Sequence, residues 1–180
     1  MLAWVDDVEG LLRAEEEAEL REVQDRQRWK WRDGNWIGRE REREWLFLQS
    51  FDSEPEQLPS WKIPLDLTER PTPFLHEMRH GLRLIRLHNE LVRKSRRPFG
   101  QITTFHTDTL KPYRAADNLR YWIKAAELRW EIVLKIDVMG VVYNRGPEVW
   151  GEFDSEILRW CKKVREEIME EWVMKPPGDT

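Results

Sequence analysis

Apolar residues return at steps of one, three and four through the last third of this chain. Val149, Trp150, Phe153, Ile157, Trp160, Val164, Ile168 and Trp172 make one stripe. That stripe predicts a helix opened by Gly146-Pro147 and closed by Lys175-Pro176-Pro177-Gly178. Upstream, Phe74, Leu75, Met78, Leu82, Ile85 and Val92 share an arc that Leu84, Leu87 and Leu91 widen. Arg79, Arg83, Arg86, Glu90 and Arg93 fall opposite. Thr72-Pro73 offers an N-cap and a first-turn proline, so one helix is expected from there to Pro98. Gly81 lies within the apolar arc, where it predicts the close approach of another helix.

Residues 111–139 predict the most buried helix. Arg120, Lys124, Glu127, Glu131 and Lys135 share a narrow polar edge, while Trp122, Ile123, Leu128, Trp130, Ile132, Val133, Leu134 and Ile136 take the rest. Gly140 is the expected stop, and the run from Ile132 to Tyr143 leaves a strand open as the alternative. The first third is more polar. Residues 3–32 predict a long charged helix with a thin stripe (Leu2, Val5, Val8, Leu12), stopped at Asp33-Gly34-Asn35. A helix around 38–51 ends in Trp45, Leu46, Phe47, Leu48 and Phe51, a cluster that has to dock on the core. Pro55, Pro59, Pro64, Pro71 and Pro73 then predict an irregular connection, held down by Trp61, Ile63, Leu65 and Leu67.

The expected fold is therefore all-α: a compact helical bundle of three core helices, with a docked helix and a long charged N-terminal helical arm. The division read from the pattern is an arm over 1–52, a Pro-rich connection over 53–72, a helical core domain over 73–174 and a tail over 175–180.

Composition narrows the class. With 40% hydrophobic and 36% charged residues among 180, the chain is neither a disordered tail nor a membrane-spanning protein. The start, MLAWVDDVEG, lacks the basic and apolar regions of a secretory signal. A single cysteine, Cys161, excludes an intramolecular disulfide and fits the cytoplasm, with the nucleus as the other compartment. Cys161 reads as packing. Eleven tryptophans are expected mainly to fill the core, with some left for a partner surface. Charge is uneven: residues 1–60 hold sixteen acidic and nine basic side chains, and residues 76–114 three acidic and nine basic. An acidic arm and a basic middle can attract each other, within one chain or between chains.

Few patterns suggest chemistry. His76-Glu77-Met78-Arg79-His80 matches the zinc-hydrolase string, in which two histidines one turn apart share a metal and the glutamate polarises its water. Here Arg79 places a positive charge inside the string, and no third ligand stands at a family spacing. The expectation is an ordinary helix, with no metal, no cofactor and no catalytic residue. A lone Glu77-x-x-His80 also lacks the second unit that a di-iron bundle needs. His88 is expected to be a partly buried, hydrogen-bonded imidazole. Arg93-Lys94-Ser95-Arg96-Arg97 puts cations at a helix C-terminus. The same run is also open to reading as a nuclear import signal or phosphate contact, with Ser95 as a phosphate acceptor.

The segment from Pro73 through Pro98-Phe99-Gly100 resembles a domain of ascomycete mating-type-locus proteins. That domain was called PPF for its proline and proline-phenylalanine, and later HPG for a histidine, a proline and a glycine. His88, Pro98 and Gly100 match those letters by position and Phe99 is the phenylalanine, with His76 and His80 as other candidates for the histidine. The matching stretch is taken as 73–108, and the flanking TLKPYRAADNLRYWIKAAELRWE looks like that family's neighbourhood.

The resemblance implies a non-enzymatic regulatory protein of fungal sexual development. Such a protein is needed after fertilisation for fruiting bodies and ascospores, and works through protein partners, other mating-type regulators among them. The family lacks the HMG and α-box DNA-binding domains of its locus neighbours, so DNA is not an expected partner, and the lack of a long apolar run leaves out a membrane. A nuclear cofactor with weak DNA contact is one alternative, and a zinc metallohydrolase built on His76-Glu77-x-x-His80 the other. On physical grounds Pro98 ends the helix, Gly100 takes a positive φ, and Phe99 is expected to bury near His88. Arg79, Arg83, Arg86 and Arg93 are expected to form an exposed ridge for an acidic partner.

Overall fold

The computed structural model describes residues 2–173, with the side chains of residues 2, 25–28, 67, 172 and 173 outside the description. The expected stripe members Leu2 and Trp172, the pin Leu67 and the 175–180 tail with its Pro-Pro-Gly stop thus lie outside the described residues or side chains. Described are α1 (Leu2–Arg28), α2 (Glu40–Phe51), α3 (Pro73–Met78), α4 (Leu82–Lys94), α5 (Pro112–Trp130), α6 (Val138–Val142) and α7 (Pro147–Val173). Two 3-10 turns, Pro55–Gln57 and Leu67–Glu69, interrupt the connection between α2 and α3. The fold is all-α, with no strand among the described residues, and none of its helices is long and apolar enough to cross a membrane.

The core is built on α7, whose Trp150, Phe153, Ile157, Trp160, Val164 and Ile168 are all fully buried. α2 lies against α7 and α4, and α4 against α5. Trp122 of α5 meets Trp160 edge to face, ring centroids 5.2 Å apart. Cys161 is buried here too, and burial pushes its thiol well above the ordinary value, so it packs as an apolar side chain. The segment after α1 belongs to the same core. Trp31 is buried, stacks on Trp29 at 5.1 Å and meets Phe47 of α2 at 5.0 Å. The boundary drawn at residue 52 therefore runs between segments that pack together, and the continuously exposed run within 1–52 is residues 3–22.

Three local expectations are corrected. The helix expected to run unbroken from 73 to Pro98 is two helices, α3 and α4, parted at Gly81. Gly81 sits at φ +73°, and a Cβ there would stand 2.7 Å from Asn118 Cβ and 2.8 Å from Leu119 N. The close approach expected at Gly81 is present, but the left-handed turn it requires ends α3. Second, the helix expected through 139 stops at Trp130, because Glu131 takes φ +54° and Ile132 N–H returns to Ala126 O at 3.4 Å. Beyond it Ile132 and Leu134 are buried while Val133 and Lys135 are exposed, a strand-like alternation without a partner strand. Arg159 donates to Val133 O at 2.8 Å, and Lys135 N–H donates to Glu156 Oε2 at 2.8 Å. Side chains of α7 thus satisfy backbone groups that a neighbouring strand would otherwise have taken. Gly140 is inside α6 and ends nothing. Third, Trp61 alone of the three described expected pins holds the proline-rich connection. It stacks on Phe74 at 4.3 Å and donates to Asp154 at 2.6 Å, whereas Ile63 and Leu65 are exposed.

Candidate functional site

His88 faces the core from α4 and has no exposed surface. Its Nε2 lies 2.8 Å from the carbonyl of Gly100, and its Nδ1 is 3.4 Å from the indole N–H of Trp130. A carbonyl only accepts and an indole N–H only donates, so the imidazole is neutral with its proton on Nε2. Burial, and then the nearby Arg129 charge, hold its pKa below the ordinary value against the pull of the Gly100 carbonyl. Two of the three residues matched to the family letters, His88 and Gly100, are thereby joined directly. Gly100 takes φ +86°, as expected, and a Cβ there would press on Arg129 at 3.2 Å.

Phe99 does not bury beside His88; it is 55% exposed. The place expected for it is held by Arg129, whose guanidinium lies 5.0 Å from the Phe99 ring centroid and 3.9 Å from that of Trp130. Arg129 donates to Ser95 Oγ at 3.0 Å and to Arg97 O at 3.3 Å, with Glu167 and Glu171 at 3.9 and 3.8 Å. Ser95 is buried, and its hydroxyl donates to Val92 O at 2.6 Å. A phosphate on Ser95 would need this corner opened. Pro98 itself is exposed and follows the end of α4 at Lys94.

Two asparagines extend the clamp. Asn89 takes both backbone groups of Ile102, at 2.8 and 3.0 Å, and Asn118 takes both of His106, at 2.9 Å each. With the His88 bond to Gly100, three side chains thus hold segment 100–106 along α4 and α5 as a partner strand would. Asn89, Asn118 and Arg129 were absent from the sequence reading. The available signal was a polar residue on an apolar face, since a buried amide needs partners and here finds backbone.

The arginine ridge is not continuous. Arg79 donates to Val142 O at 2.6 Å. Arg83 grips both Asp52 oxygens, at 2.9 and 3.2 Å, and also Glu77 and Glu54 O. Its side chain is 10% exposed and that of Asp52 4%, so it is an internal tie between α4 and the connection after α2. Arg86 and Arg93 are exposed, Arg93 with Glu90 at 2.7 Å. Arg86 borders a cleft of about 300 Å³ with Asp52, Glu54, Glu77 and His80.

The zinc-hydrolase string is divided by the end of α3 at Met78. The His76 and His80 rings stand 6.0 Å apart, and the Glu77 carboxylate is held by Arg83 at 2.8 Å. No group of three candidate ligands gathers among the described residues. Elsewhere, His106 Nε2 lies 3.0 Å from Asp117 Oδ2 at the surface.

Among the described residues, α1 carries the largest group of exposed apolar side chains on any one helix. Trp4 is 73% and Leu11 67% exposed, and Val5, Val8 and Leu12 also face solvent. All of residues 3–22 are exposed, so none of the described residues covers this face. Searches of protein-family models, curated proteins and solved structures find no match to the chain.

Proposed function

We propose that this chain is a non-enzymatic regulatory protein that works through protein–protein contacts, in sexual development as its resemblance to the mating-type family implies. The observation that carries the reading is the uncovered apolar face of α1: Trp4, Val5, Val8, Leu11 and Leu12 stand in water beside a finished core. Large apolar side chains grouped on one exposed helix face are the mark of a surface that a partner completes. The His88–Gly100–Arg129 corner supports the reading in a second way, since His88 and Arg129 bond to Gly100 O, Ser95 Oγ and Arg97 O of the loop after α4. Its role is to fix the shape of the core, and the compartment proposed is the cytoplasm or nucleus.

The test is genetic. In a fungus deleted for the gene, a chain carrying Trp4→Asp, Val8→Asp and Leu11→Asp is expected to fold yet fail to restore fruiting bodies and ascospores. Full fertility from that chain would overturn the proposal.

A further inference from the structure

We infer that α1 docks a basic amphipathic helix of a partner protein, one whose apolar seam gives way to Lys or Arg along the same face. The inference rests on the contact reading above and adds the chemistry of the partner. At 100° per residue, Leu11, Trp4, Val8, Leu12 and Val5 fall within an arc of about 120°. Glu15 and Glu19 continue the same arc over the next turns and are exposed. Arg13 and Arg21 fall away from it, and Arg21 donates back to Glu17 O at 3.3 Å. One face of one helix is thus apolar for about three turns and acidic for about two more.

That division selects the occupant. A second copy of α1 running antiparallel about Val8 would bury both stripes. It would, however, leave Glu15 and Glu19 overhanging with nothing to meet. A parallel copy would place Glu15 and Glu19 against their own counterparts. An anionic membrane surface would meet the same repulsion. A basic partner helix uses both halves at once, burying the stripe while its cations meet Glu15 and Glu19.

The probe is a synthetic amphipathic helix with a leucine seam over three turns, followed by lysines on the same face; its sister carries glutamates instead. Each is titrated into the full chain by calorimetry at low and at high salt. The lysine helix is expected to bind, more weakly at high salt, and the glutamate helix not to. Leu11→Asp should weaken the lysine helix about tenfold or more, a loss of about 1.4 kcal/mol. Glu15→Lys with Glu19→Lys should transfer the preference to the glutamate helix. Equal affinity for both helices, no binding of the lysine helix, self-association abolished by Leu11→Asp, or partition of the chain into phosphatidylcholine vesicles would each overturn the inference. If the helices fail to discriminate while Trp4→Asp, Val8→Asp and Leu11→Asp still abolish fertility, the charge rule is lost and the contact reading stands.

Discussion

The imidazole of His88 and the carbonyl of Gly100, twelve residues apart, share a 2.8 Å hydrogen bond in a site closed to water, with Trp130 donating to the other ring nitrogen. The bond fixes the path of the chain as it turns from α4 toward α5. It also fixes a protonation state, because a proton on Nδ1 would face the Trp130 N–H head on.

Stability should therefore fall as the solution is acidified through the histidine range. The folded state holds the His88 pKa down by burial, and that of His80 by burial and then by Arg79 and His76. The unfolded chain takes those protons near pH 6.5, so it binds more protons below that value and gains on the folded state. The slope reaches about 1.4 kcal/mol per pH unit for each such histidine, between about 6.5 and its lowered folded value. Urea unfolding at about pH 7 and about pH 5.5 measures it, and His88→Gln should flatten the difference. An unchanged slope in that variant would show that His88 is not the group responsible.

Gly81→Ala should be among the most damaging small substitutions. The added Cβ meets α5 backbone at 2.8 Å and must also hold a left-handed φ, so about 2–4 kcal/mol is expected. Gly10→Ala is the control: nothing lies within 4 Å of that position, and helix propensity favours Ala. A thermal melt of each separates the two.

Arg165 and Glu44 form a buried ion pair between α7 and α2, with Nε 2.9 and 3.2 Å from the two carboxylate oxygens. Burial pushes the Glu44 pKa up, and Arg165 pulls it back down. Arg165→Met leaves that carboxyl buried without its partner and should cost about 3–5 kcal/mol. Combining it with Glu44→Leu should recover most of the loss, because an apolar pair no longer needs charge compensation. Denaturant unfolding of the two single variants and the double variant reads the coupling directly.

Phe99→Ala should cost no more than about 1 kcal/mol, since its ring is half in solvent and its main contact is with the Arg129 guanidinium. Arg129→Leu should cost more, because Ser95, Arg97 O, Glu167 and Glu171 all lose a partner. The order of the two losses in urea is the check; a larger loss at Phe99 would restore the buried-ring corner.

These cases show which parts of the molecule were legible beforehand. α7 was, because an uninterrupted stripe from Trp150 to Ile168 has one way to be buried. The Thr72 cap was as well, with its hydroxyl accepting from Leu75 N–H at 3.3 Å. Gly81 and Glu131 were not, because each turn is decided by its surroundings: the approach of Asn118 at one, the pull of Ile132 and Leu134 into the core at the other. Arg83 was placed on the polar side of its helix, and the wheel was right about direction. It could not show that residues 52–54 fold over that side and enclose it. Phe99 misled because an aromatic ring usually buries, but Trp130 and Arg129 already occupy that side.

If α1 serves a partner and not the fold, removing its exposed length must leave the core untouched. The direct measurement is the urea midpoint of the full chain against a chain that begins at Arg21. Equal midpoints and slopes, with helical signal lost only in proportion to the residues removed, are the expected result. A midpoint that falls with the truncation would show that the face of Trp4, Val8 and Leu11 belongs to this molecule's own core, and would contradict the docking role assigned to it.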